Sequence, residues 1–187
     1  MARDRRVAAQ VGFWWGLAEG TVFFIVPDVW ITFATLFSLR AGAVAWFFSV
    51  VGSAVAVVAI HLLTAVLGLD YLGFLESIPG ISAVLVERVG TTLAADGLPY
   101  TPWLVLGGVP LKVYAGTAFG AGLPLAAVLA WTAFARVARI VPTYLLAAAG
   151  RIGFGRRIDD RPSAWTAALA GCWMVFYILY FTVLRPG

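Results

Sequence analysis

From Ala41 to Leu67 the chain runs 27 residues without a formal charge, and His61 is the only titratable group in that run. As a helix at 1.5 Å per residue it would reach about 40 Å. The hydrocarbon core of a bilayer is about 30 Å thick, so the run is long enough to cross. A second uncharged run, Ser163 to Leu184, opens after Asp159-Asp160-Arg161-Pro162, polar residues and a proline where a helix should begin. A third runs from Pro124 to Gly150, with proline suited to a first turn and glycine to a stop. The pattern predicts crossing helices over 41–67, 124–150 and 163–184.

Two further apolar stretches do not fit that description. Residues 7–39 are too many for one comfortable helix and are broken at Pro27. Residues 98–123 hold Pro99, Pro102, Gly107-Gly108, Pro110, Gly116, Gly120 and Gly122, a composition that opposes one continuous helix. Each reads as a re-entrant hairpin, two half-helices that dip in and return to the same side. Backbone at that depth must be covered by protein or line a watery cavity. Between the halves, 69–97 is mixed in character and reads as an extracytoplasmic surface segment, partly an amphipathic helix.

The halves echo each other, since Val26-Pro27 and Val109-Pro110 each precede a long helix at a similar distance. Pro27 and Pro110 are the expected structural breaks. The fold expected is an all-α integral membrane protein, one membrane domain over 1–187. Its two facing re-entrant helical hairpins form an inverted repeat braced by about three crossing helices. Paired interrupted segments in corresponding positions are a sequence pointer to a transporter's binding site. Charge fixes the expected orientation. With the N-terminus inside, Arg3, Arg5, Arg6, Arg40, Arg151, Arg156, Arg157 and Arg161 are inside, and Arg88 and Arg185 outside.

Composition agrees with this reading. Hydrophobic residues make up 62% and charged residues 12%, about half the charge of an ordinary soluble domain. The net charge of +4 does not point to nucleic acid, because the arginines stand at segment ends. The single cysteine, Cys172, excludes an intrachain disulfide, and with one histidine it excludes a zinc cluster. Cys172 reads as a small packing residue. Met1–Arg6 has the look of a signal-peptide n-region, but Glu19 and Asp28 interrupt the stretch that follows, so the segment reads as retained. No Ser-His-Asp set, metal-ligand spacing or P-loop is found, which argues against an enzyme and against a bound cofactor or metal.

Five ionisable residues remain in apolar surroundings: Glu19, Asp28, Lys112, Arg136 and Arg139. Each would cost about 2.5–3.5 kcal/mol at the centre of a bilayer. They must face one another, a cavity or water. The plainest reading is structural pairing inside the bundle, or snorkelling of Glu19 or Arg139 to an interface. Neither explains why the acids fall in the first hairpin and the bases in the second half. Arg136 and Arg139, three apart on a helix, share a face. With Lys112 they make a set suited to phosphate, which accepts bidentate hydrogen bonds. Glu19 and Asp28, partly desolvated, are candidates to carry protons. His61 reads as a packed residue before a proton relay, and Gly52-Ser53 as a close helix contact.

Ala18-Glu19-Gly20-Thr21-Val22-Phe23-Phe24-Ile25-Val26-Pro27-Asp28-Val29 resembles the acidic, proline-containing first hairpin of the DedA superfamily (VTT, or SNARE-associated, domain), especially its short YqaA-type members. Val109-Pro110-Leu111-Lys112-Val113-Tyr114-Ala115-Gly116 resembles the second hairpin, where those proteins often read Arg-Phe-x-Pro-Gly-x-Arg. Phe134-Ala135-Arg136-Val137-Ala138-Arg139 resembles the arginine pair of the helix that follows. The match covers about 11–151, and here lysine stands where an arginine is common. The resemblance implies lipid translocation, of a polyprenyl-phosphate carrier or a phospholipid, with proton coupling by Glu19 and Asp28 and headgroup binding by Lys112, Arg136 and Arg139. A proton-coupled antiporter and a non-transporting structural subunit are the alternatives. The partners expected are the bilayer and an anionic lipid headgroup, no nucleic acid, with a homodimer compatible. The location expected is the inner (cytoplasmic) membrane of a bacterium, multi-pass, N-terminus cytoplasmic.

Overall fold

The structure, a computed structural model, describes residues 4–78, 81–99 and 109–184. Those residues form helices and connections, with no strand among them. Helix α1 is Arg5–Thr21, α2 Asp28–Phe37 and α3 Leu39–His61, the last continued by a π-helical turn over Leu62–Val66. Two short helices follow, α4 (Tyr71–Glu76) and α5 (Ala83–Asp96). Then come α6 (Leu111–Gly120), α7 (Leu125–Asp160) and α8 (Pro162–Leu179), with a second π turn at Tyr180–Leu184. Three of these are long and apolar enough to cross a membrane: Leu39–Val66, Leu125–Asp160 and Pro162–Thr182. By length and composition this is a membrane protein.

Helices α1 and α3 lie side by side and run in the same direction. Gly12 faces Ala45, Gly16 faces Ser49, and Gly20 faces Ser53 and Ala56, so contacts advance together along both helices. The approach is backbone to backbone. A Cβ built on Gly16 would fall on the Ser49 carbonyl, and one on Gly52 on the carbonyl of Phe13. Small residues let membrane helices close this far, and Gly52-Ser53, expected as such a patch, is half of it. Ser53 Oγ also donates to the Gly16 carbonyl at 3.4 Å.

Between them the chain turns back over residues 22–27, and α2 leads into α3 at Ser38. The Ser38 amide donates to the Ala34 carbonyl at 2.9 Å, and its hydroxyl accepts from the Ala41 amide at 3.2 Å, which starts α3. One apolar cluster gathers Ala8, Ile31, Ala34, Ala41, Ala45 and Ile140, so the starts of α1 and α3, the end of α2 and the middle of α7 share one end of the molecule. Tyr144 of α7 donates to the Leu39 carbonyl there, at 3.3 Å. The described arginines Arg5, Arg6 and Arg40 stand at that end, and α7 carries Arg151, Arg156 and Arg157 beyond it, with Arg161 just past its last residue. A larger cluster fills the other end, where Leu85, Val89 and Leu93, one face of α5, meet Val113, Phe119 and Trp131.

Several boundaries differ from the sequence reading. The crossing helix expected over 124–150 runs on to Asp160, through Gly150, Gly153 and Gly155. Glycine weakens a helix by about 1 kcal/mol per residue without forbidding it, and none of the three adopts the positive φ of a glycine stop. Arg151 spans the next turns with a bidentate contact to Asp159, at 3.1 and 2.9 Å. The turn comes instead at Pro162, which opens α8. The segment read as an amphipathic surface, 69–97, holds α4 and α5. Of the hairpin expected over 98–123, residues 100–108 lie outside the described residues, and the described limb is α6. Pro27 and Pro110 each stand directly before a helix, α2 and α6. Cys172, expected to pack, is exposed, on a span none of whose residues is fully buried by the rest of the chain.

Candidate functional site

Four of the five charges singled out in the sequence are buried between the two apolar clusters: Glu19 at 3% exposure, Asp28 at 3%, Lys112 at 1% and Arg136 at 2%. Each reaches this waist from a different helix. Glu19 is near the end of α1, Asp28 opens α2, Lys112 is in the first turn of α6, and Arg136 is in α7 between Ala135 of one cluster and Ile140 of the other. The Arg136 Nη2 donates to Glu19 Oε2 in a buried ion pair. Arg139, one turn further along α7, is half-buried and close enough for its charge to act on Glu19 and Lys112.

Lys112 does something the sequence reading did not give it. Its ammonium donates to the Glu19 carbonyl at 3.1 Å and the Phe23 carbonyl at 2.7 Å. These carbonyls belong to the end of α1, where a helix leaves its last acceptors unmet. Tyr71 of α4 donates to the Thr21 carbonyl at 2.8 Å, and Trp15 to the Ile25 carbonyl at 2.9 Å. Burial raises the Tyr71 phenol above its ordinary range, and the Glu19 charge adds to that shift, so Tyr71 keeps its proton and remains a donor. The Val26 amide in turn donates to Tyr177 Oη at 2.8 Å, and Trp173 Nε1 to Thr32 Oγ1 at 2.9 Å, both from α8. Backbone groups of a turn taken out of water need partners from the protein, and four side chains from four helices meet this one. The charges suit the helix ends as well. The cation caps the negative end of α1, and Asp28 lies at the positive start of α2.

Charge balance at the waist leaves a surplus. Glu19 and Asp28 offset Lys112 and Arg136, and Arg139 is then unmatched, with no hydrogen-bond partner among the described residues. Two buried polar atoms have no partner either, Arg136 Nε and Asp28 Oδ2. Arg136 and Arg139 both line a cavity of about 20 Å³, walled otherwise by Val109, Leu111, Tyr114, Trp131 and Ala135. That is room for about one water molecule. The Tyr114 and Trp131 rings meet at 5.0 Å, and Trp131 Nε1 donates to the Pro99 carbonyl at 2.9 Å. The arrangement presents two arginines and an aromatic wall to a space the size of one water molecule.

The expected site thus divides. Glu19, Lys112, Arg136 and Arg139 are brought together, whereas Asp28 stands on the return leg of the turn. His61 takes no part; its ring lies 4.8 Å from that of Phe119, and its buried Nδ1 is unpartnered. Among the described residues no group of three or more His, Cys, Asp and Glu could hold a metal ion. Sequence reasoning missed Tyr71, Trp131, Trp173 and Tyr177. The available signal was position, since Trp173 and Tyr177 stand well inside an apolar span, where a polar ring atom needs a partner rather than a membrane surface. Compared with known proteins, the chain matches no family model, no curated protein and no solved structure.

Proposed function

We propose that the chain is a membrane carrier, with no enzymatic step, that moves an amphiphile bearing an anionic phosphate headgroup, a polyprenyl phosphate or a phospholipid, across the bilayer. The observation that carries this reading is the cavity lined by Arg136 and Arg139, taken with the unpartnered buried N–H of Arg136 and the one unmatched positive charge. A phosphate accepts from both guanidiniums and cancels the surplus. The aromatic and aliphatic wall favours a headgroup attached to an apolar tail over a free ion. Asp28, with an unpartnered carboxylate oxygen, is the freer of the two acids, since Glu19 is engaged by Arg136. The small cavity corresponds to a closed state, so entry requires α6 and α7 to part. The fold that goes with this reading is a pair of facing re-entrant hairpins, as in the DedA superfamily that the first turn and the arginine pair resemble.

A second reading, a structural subunit that moves nothing, is favoured by the existing Arg136–Glu19 pair and by the use of Lys112 on backbone. Flux of a labelled polyprenyl phosphate or phospholipid into proteoliposomes separates the two. Arg139→Lys keeps the charge and loses the planar fork, and should slow flux about tenfold, the worth of one charged hydrogen bond. Full flux in Arg139→Lys and in Arg139→Ala would leave the structural reading standing.

The orientation proposed is N-terminus in the cytoplasm of a bacterium, in its inner membrane. In a Cys172→Ala background, cysteines at the exposed Ser77 and Ser163 should react with an impermeant thiol reagent from opposite sides, Ser77→Cys from outside. Reaction of both from one side would overturn the topology.

A further inference from the structure

We propose that the far end of α7 is an interfacial binding site for anionic lipid headgroups, separate from the buried arginines and independent of whether the chain transports anything. As a helix of 36 residues α7 is about 54 Å long, and a crossing needs only about 20 residues. Counted from Leu125, its last turns extend past the hydrocarbon core to headgroup level. The overhang is built for that depth. Between Arg151 and the pair Arg156-Arg157 stand Ile152 and Phe154, which are 75% and 46% exposed. In water such apolar exposure is a cost, and at a membrane surface it is a gain.

These residues surround an open recess of about 630 Å³. Its arginines are held in different ways. Arg151 is committed to Asp159 by two hydrogen bonds. Arg157 lies over the Phe154 ring at 6.0 Å, a cation–π contact that positions the guanidinium without using its N–H donors. The Arg157 carbonyl accepts from Trp165 Nε1 at 3.1 Å, which ties the start of α8 to this turn. Arg156 is exposed and has no hydrogen bond or ion pair among the described residues. Two guanidiniums with free donors, one of them pre-positioned beside exposed apolar side chains, fit a lipid phosphate whose chains continue into the bilayer. The described arginines of α1 and α3 stand at the end of the molecule from which this overhang extends, so basic residues outnumber the acids Asp4, Asp159 and Asp160 there.

The test places a probe beside the recess. Gly150→Cys in a Cys172→Ala background carries a fluorophore; a side chain at Gly150 meets nothing within 4 Å. The labelled full chain is put in phosphatidylcholine nanodiscs with a small fixed fraction of headgroup-nitroxide lipid, either phosphatidylglycerol or phosphatidylcholine. Each arginine near an anionic surface is worth roughly a fivefold enrichment. Quenching by the anionic lipid should therefore exceed that by the zwitterionic one several-fold, and Arg156→Gln with Arg157→Gln should remove most of the excess. Both are exposed positions that glutamine fills without loss of helix. Equal quenching by the two lipids overturns the proposal. So does an excess that the double variant leaves intact, which would place the lipid elsewhere. Inorganic phosphate should displace the anionic quencher no better than chloride at equal ionic strength; if it does better, the recess reads a free phosphate and not a lipid surface.

Discussion

Arg136→Ala should lower the stability of the folded protein by about 3–5 kcal/mol, the usual cost of removing one partner from a buried ion pair. The damage comes from what remains. Glu19, at 3% exposure, would lose its hydrogen-bonded guanidinium, with only the more distant Arg139 left, and would have to take up a proton or draw in water. The Lys112 ammonium close by softens the loss without replacing the pair, because it is engaged with two backbone carbonyls. Glu19→Gln combined with Arg136→Gln should recover most of the stability, since two neutral amides can bond to each other and neither charge is stranded. A denaturant titration in detergent of the two single variants and the double variant reads the coupling directly. Additive losses would mean that the two side chains are not a unit. The double variant also decides between the functional readings. If it is as stable as the parent and carries no lipid, the charges serve transport; if it is stable and fully active, they serve only the fold.

Gly16→Val should leave almost no monodisperse protein. A Cβ at Gly16 falls on the Ser49 carbonyl of α3, and main chain on both sides prevents relief by a rotamer change. Overpacking usually costs about 1–3 kcal/mol, and here α1 must move bodily away from α3, taking Glu19 off Arg136. Gly153→Val is the control, because a Cβ there meets nothing within 4 Å. The fraction of each variant that elutes as a single species after extraction measures the difference. Equal recovery would show that the two helices are not in backbone contact.

Individual residues show how far the sequence could be read. The span around 41–67 was legible because 27 uncharged residues have few other uses. The five charges were legible as a group because apolar surroundings give an ion no other reason to be there. Their division of labour was not. Lys112 and Arg136 look alike in the sequence, both cations among apolar residues. Only the end of α1 determines that one meets carbonyls and the other a carboxylate. Gly150 was read as a stop because glycine is common past helix ends. What decides is whether its φ turns positive, which depends on the residues beyond it. Tyr177 and Trp173 were hidden for a related reason. Their partners, the Val26 amide and the Thr32 hydroxyl, lie 151 and 141 residues away, and no local pattern encodes a contact at that distance.

That distance also sets an order of assembly. Helices α1 and α2 leave the ribosome early, yet the bend between them has donors and acceptors that only later helices meet. The Phe23 carbonyl waits for Lys112, 89 residues on, the Glu19 carboxylate for Arg136, 117 residues on, and the Val26 amide for Tyr177. Until α8 is made, the first two helices must keep their bend close to water, or shielded by the insertion machinery. The opening segment of this chain is therefore the part that matures last.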